Sequence, residues 1–297
     1  MKKTTIKMCS VLLAASLAAG AFSACGKKSG GMNIPDAVEE FAEGADQIEL
    51  ADLKDLDEDK DAIQNGVYVV ASGDELGEFL EENNALDEMD ELTSMIPGLN
   101  LNNIIDPENI EEARLCLRGN LEASKPGDLK LGAAICVTYN DAETAADVAD
   151  DIDNLISLGT SLMGIDSDDL SSEEYFYDED SGEFNIVLNL DVDGLLTSVF
   201  DSLGGMFGDA VTSGSDEPEK TGIVVNLCVR IDGENLLLTI SAGEDYTESV
   251  DKIHTDAGFD APSSVENTEE LTSALYDFLA EQIASYMFKA FSAMASN

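Results

Sequence analysis

The groups in this chain able to do chemistry are one histidine, five cysteines and a large surplus of carboxylates. His254 lies at the end of a short predicted helix, and no residue in its vicinity suggests a Ser-His-Asp partner; a solvated, structural role is expected. There is no Gly-x-Ser-x-Gly turn, Gly-rich phosphate loop or zinc-type Cys/His cluster. With 62 Asp and Glu, paired acids occur by chance, and a glycosidase would also need a cleft with aromatic walls. A chain with no Trp and 6% aromatic residues supplies such walls poorly. Asn189, Asp191, Asp193 and Gly194 match the first four requirements of a calcium-binding EF-hand loop, but its closing position falls on Phe200, which offers no oxygen. The run Asp55 to Asp61 lacks the required glycine, and Asp166 to Glu174 has no ligand spacing. Solvated acidic surface is expected at all three, so no catalytic, cofactor or metal residues are assigned.

Three cysteines, Cys116, Cys136 and Cys228, fall in predicted strands. If residues 124–128 form the loop between two antiparallel strands, Cys116 and Cys136 stand directly opposite each other. Non-hydrogen-bonded antiparallel partners have Cα atoms about 4.5 Å apart, at the short edge of what a disulfide accepts. Proximity is therefore expected, with a bridge as the lesser outcome. Cys228 shares its strand face with Asn226 and Arg230 and is expected to be a free, inert thiol. Arg114, Arg118 and Arg230 also fall on strand positions facing away from the predicted core. They are expected to meet acidic groups, either of this chain or of an envelope protein partner.

The remaining cysteines lie near the N-terminus. Lys2, Lys3 and Lys7 precede an apolar stretch from Val11 to Phe22, and Ser23-Ala24-Cys25 follows. A secretory signal has this shape, and its apolar part is too short for a permanent membrane-spanning helix. The ending Phe22-Ser23-Ala24-Cys25 resembles the lipobox of bacterial lipoproteins, departing from it in Phe22, where the family most often has Leu. The resemblance implies cleavage between Ala24 and Cys25, diacylglycerol on the Cys25 sulfur and an acyl group such as palmitate on the new amino terminus. It also implies a location on the extracytoplasmic face of the cell membrane. Gly26-Lys27-Lys28-Ser29-Gly30-Gly31 reads as a polar tether, with two lysines that would sit at an anionic lipid surface.

Residues 1–24 contain three of the fifteen cations and none of the acids, so their removal takes the net charge from −47 to −50. Such a charge excludes a nucleic-acid binder, which needs cations to displace counterions from phosphates. A 44% hydrophobic content still supports a real core.

The elements that must position these groups follow from periodicity. Residues 25–62 read as a lipid-anchored, flexible acidic tether with a weak amphipathic helix after Pro35, and the folded part is predicted to begin at Ile63. A first α+β unit spans 63–180. Its strand Val67–Ala71 leads into a capping box at Ser72 and Glu75, two alternating strands cover 113–121 and 129–139, and a helix capped at Asn140 or Asp141 ends near Gly159. The strand from Glu174 to Asp178 closes this unit, and a second unit spans 181–260, with a strand from Phe184, a helix from Leu195, a hairpin turning at Asp232-Gly233 and a helix over Asp245–Ile253. A C-terminal amphipathic helix within 265–297, about Thr268 to Ala293, is expected to dock on the body. The class is α+β with antiparallel strands and helices on one face, in the element order of two tandem ferredoxin-like βαββαβ-type units.

The favoured expectation is a non-enzymatic, lipid-anchored binding, accessory or structural module at the cell envelope. A surface hydrolase using unidentified carboxylates, a weak calcium-binding surface protein and a transporter substrate-binding lipoprotein remain open beside it.

Overall fold

The computed structural model describes residues 31–55, 60–83, 104–120, 130–165, 170, 173–198 and 220–280. Among them run α1 (Ile34–Phe41), β1 (Asp46–Gln47), α2 (Lys60–Asn65), β2 (Val67–Ser72), α3 (Gly73–Glu82), β3 (Ile110–Asn120) and β4 (Lys130–Tyr139). There follow α4 (Ala142–Met163), β5 (Tyr175–Asp178), β6 (Glu183–Asp191), β7 (Val224–Asp232), β8 (Asn235–Ala242) and α5 (Glu244–Asp256). Residues 192–198 and 269–280 are also helical.

The class is α+β, and the strands form one eight-stranded sheet in the order β1-β2-β3-β4-β8-β7-β6-β5. Only β1 and β2 pair in parallel. The repeat of element order is visible in space. β2-α3-β3-β4-α4 is matched by β6, the 192–198 helix, β7, β8 and α5, and the two last strands, β4 and β8, meet at the centre. Within each half the strands lie in chain order as an antiparallel meander. β5 pairs with β6 through the 178–183 turn, so the sheet is continuous across residue 180 and both halves share it.

Strict alternation gives the sheet two working faces. On β8, Leu236 and Leu238 enter one core while Leu237 enters another. The first core lies beneath α4, through Ala145, Val148, Ala149, Ile152 and Ile156, and beneath Leu271 and Leu275 of the 269–280 helix. The second lies beneath α1 and α5, where Ile34, Val38, Phe41, Val250 and Ile253 pack on Cys116, Ala134, Cys136 and Leu237. Helices therefore cover both faces, where strand alternation predicted one. The face read as polar is roofed because its polar side chains find partners inside the chain.

This roof also corrects the extent of the tether. Asn33 caps α1, accepting from the Asp36 N–H at 2.8 Å, and Val38 is fully buried. Burying an aliphatic side chain of this size is worth roughly 1.5–3 kcal/mol, enough for a docked helix despite its acidic outer face. β1 then pairs beside β2, and Ile48 and Leu53 pack against Ile63 and Val67. The folded body thus begins near residue 32 instead of residue 63.

Local signals hold elsewhere. Ser72 and Glu75 form the expected reciprocal capping box of α3. Asp141 caps α4, accepting from the Thr144 N–H at 2.8 Å. This helix runs past Gly159 and stops at Gly164, whose φ of 76° is the left-handed terminator that Gly159 was expected to provide. Open space surrounds Gly159, so nothing there forces an ending. Of the predicted 195–211 and 268–293 helices, the parts beyond residues 198 and 280 lie outside the described residues, as do Ala24 and Cys25.

Candidate functional site

The main polar constellation sits between the sheet and α5. In the β7–β8 hairpin, Arg230 faces Leu237 and Cys228 faces Thr239, so Arg230 and Thr239 share the face that α5 covers. Val250, Ile253, His254 and Ala257 form the buried stripe of α5 and its C-terminal cap, at the spacing of one helix face. His254 is thus fully buried, not solvated. Its Nδ1 accepts from Arg230 Nε at 3.1 Å, which leaves the proton on Nε2 to be donated to Thr239 Oγ1 at 2.8 Å. Arg230 also donates from Nη2 to the Asp260 carbonyl at 3.2 Å, and its guanidinium lies 4.3 Å from the centre of the Phe259 ring.

Burial, and secondarily the Arg230 charge, hold the His254 pKa well below the ordinary histidine value. The ring is neutral, and both nitrogens are committed. Such a group fastens the last turn of α5 to the sheet, but it neither meets solvent nor has a free lone pair for a substrate. The sequence held a signal for this cluster: the hairpin register places Arg230 and Thr239 on one face, and extending the α5 stripe one residue past Ile253 reaches His254.

Nearby polar groups continue the pattern. Asn226 Nδ2 donates to Ser241 Oγ at 3.2 Å and to Thr247 Oγ1 at 3.3 Å, tying β7 to β8 and α5. Cys228 is fully buried, with its thiol 3.9 Å from Asn185 Oδ1.

Cys116 and Cys136 are not directly opposed. Cys116 faces Ala134 and Arg114 faces Cys136, because the last pair before the turn is Asn120 with Lys130. The shift from the expected register is two residues, the smallest that keeps every side chain on its own face. Cys116, Cys136 and Cys228 are all free and buried. Burial pushes the Cys116 thiol up to about 11 and the Cys136 thiol up to about 12, far from nucleophilic use at neutral pH.

Arg114 and Arg118 meet groups of this chain on β3 and in or just after α1. Arg114 bonds Glu112 at 2.6 Å and Glu39 at 3.1 Å and donates to the Pro35 carbonyl at 3.1 Å. Arg118 donates to the Glu43 carbonyl at 2.6 Å and lies 5.4 Å from the centre of the Phe41 ring. Lys252 on α5 reaches Glu40 of α1 at 2.5 Å and Asp256 at 2.7 Å. A cleft of about 240 Å³ lies between α1 and α5, with Ala37, Phe41, Arg118 and Lys252 among its walls. Lys252 already bonds Glu40 of α1 and Asp256 of α5, and Arg118 bonds the Glu43 carbonyl just past α1.

The calcium-like spacing also resolves into structure. Asn189 and Asp191 belong to β6. Both carboxylate oxygens of Asp193 are engaged: Oδ1 accepts from the Thr221 N–H and hydroxyl at 2.7 and 2.8 Å, and Oδ2 from the Gly222 N–H at 2.8 Å. These donors hold its carboxyl below the usual range and clamp the end of β6 to the approach to β7. Among the described residues no group of three or more His, Cys, Asp or Glu is placed to hold a metal ion. Phe200, residues 56–59 and residues 166–169 lie outside those described. Among the described residues no helix is long and apolar enough to cross a membrane.

No protein-family model matches the chain, and it has no significant match among curated proteins or solved structures.

Proposed function

We propose that this chain is a bacterial lipoprotein, held on the extracytoplasmic face of the cell membrane by diacylglycerol on Cys25. Its body acts as a non-enzymatic binding or structural module at the envelope. The observation that carries the reading is the series Lys2, Lys3 and Lys7, the apolar stretch to Phe22, and Ser23-Ala24-Cys25. Acyl chains supply about 0.8 kcal/mol per buried CH₂, so they hold a strongly acidic body at a membrane that would otherwise repel it. The non-enzymatic part is supported by the fate of the reactive side chains: the only histidine and the three strand cysteines are sealed in the core and serve as packing and hydrogen-bonding groups. What the module offers a partner is its acidic exterior, to which α1 and α5 contribute Glu39, Glu40, Glu244, Asp245 and Glu248.

Replacement Cys25→Ser tests the anchor. The parent protein is expected in the membrane fraction, released only by detergent, and the variant is expected to keep its signal segment and take up no labelled palmitate. Equal palmitate incorporation in both proteins would sink the proposal.

A further inference from the structure

The beginning of the folded body determines which end of it faces the lipid. Gly31 lies against the end of α5: a Cβ placed on it would come within 2.4 Å of the Ala257 carbonyl carbon and 2.6 Å of the Gly258 nitrogen. Only glycine permits that approach. The Met32 N–H donates to the Asp256 carbonyl at 2.7 Å, fixing the next residue to the same turn. The chain therefore leaves the body at the C-terminal end of α5, beside the first turn of α1. Five residues, and so six Cα–Cα steps, separate Cys25 from Gly31. Fully extended, they reach no more than about 22 Å, at up to 3.6 Å per residue.

From this we infer that the body's interaction surface toward the membrane is the pole formed by Gly31, Met32 and the last turn of α5, and that its partner is the lipid headgroup layer. The inference rests on the proposed acylation of Cys25 and adds an orientation to it. A tether running to residue 62 would leave the body free to turn any side to the membrane; five residues do not. The pole suits this position, because among the described residues Met32 is one of three large apolar side chains left exposed, and in the sequence Lys27 and Lys28 lie between it and Cys25. The N-terminal end of α5, with exposed Glu244, Asp245 and Glu248, points the other way along the helix.

Two variants, each with one added cysteine, read the orientation in the acylated protein reconstituted into vesicles with acceptor-labelled headgroups. Thr255→Cys places a fluorophore at the pole, and Glu244→Cys places one at the far end of α5. Both positions are exposed, while Cys116, Cys136 and Cys228 are buried. At 1.5 Å rise per residue the two labels stand about 16 Å apart along the helix. The Thr255→Cys label is expected to lie closer to the lipid by as much as that distance. Insertion of a long Gly/Ser segment after Ser29 is expected to erase the difference. Equal distances, or a closer Glu244→Cys label, in protein whose mass confirms acylation would overturn the orientation alone. Absence of the acyl mass would overturn the anchor and the orientation together.

Discussion

Replacing Arg230 with alanine is expected to lower the unfolding free energy of the body by about 3–5 kcal/mol, the range of large-to-small changes in a core. Two costs combine. The deletion empties a space filled by one of the largest fully buried side chains among the described residues. It also strips His254 Nδ1 and the Asp260 carbonyl of a donor, and each buried polar atom left unsatisfied costs about 1–3 kcal/mol. The change also removes the cation above Phe259. Arg230→Met keeps most of the volume and should lose distinctly less. Urea unfolding of the three proteins measures this directly. Equal stability of the alanine variant and the parent would show that the cluster does not hold α5.

The second large effect is a loss of stability on mild acidification, traceable to one residue. His254 is buried neutral between Arg230 of β7 and Thr239 of β8, with Phe259 and the Asp260 carbonyl closing the site through Arg230. Asp251 lies one turn earlier on α5, where its carboxylate accepts from Ser263. The folded pKa lies well below the ordinary 6.5 that the unfolded chain regains. Below that pH the unfolded state binds a proton that the folded state refuses. The contribution is therefore complete above about pH 6.5 and falls by up to about 1.4 kcal/mol per pH unit beneath it. Asp141, Asp193 and Glu75 are held below their usual values by N–H and hydroxyl donors, so their losses have the same sign but begin at lower pH. Asp153, raised by burial, works in the opposite direction. His254→Gln should abolish the slope between pH 6.5 and 5 while leaving the carboxylate-driven loss at lower pH. Identical slopes in parent and variant would contradict the assignment.

Much of the scaffold was legible because its signals are local. The period of two in β6, with Phe184, Ile186 and Leu188 on one face, and the i, i+3, i+4 stripe of α4 both led to the correct elements. So did the Ser72–Glu75 capping box. Long-range decisions were less legible. In α1, four buried residues alternate with acids, so an eight-residue helix that docks on a distant part of the chain looked like part of a solvated stalk. The contacts that hold it come from Arg114, Arg118 and Lys252, far along the sequence. Parity placed Cys116 and Cys136 on one shared face, read as the polar one where α1 and α5 in fact bury it; composition does not decide between registers two residues apart, because both keep the two cysteines on that face. His254 was misplaced by a helix end drawn at Ile253, three residues before α5 ends at Asp256. The proposed anchor differs in kind: the signal that suggests it is entirely in residues 1–25, and the fold enters only by setting how short the connection to the body would be.

The mass of the N-terminal peptide, from protein extracted with detergent out of cell membranes, tests the central claim most directly. The expected result is a chain that starts at Cys25 and carries a thioether-linked diacylglyceryl group on that sulfur. A peptide in which Cys25 is an unmodified thiol, or one in which residues 1–24 remain attached, would contradict it.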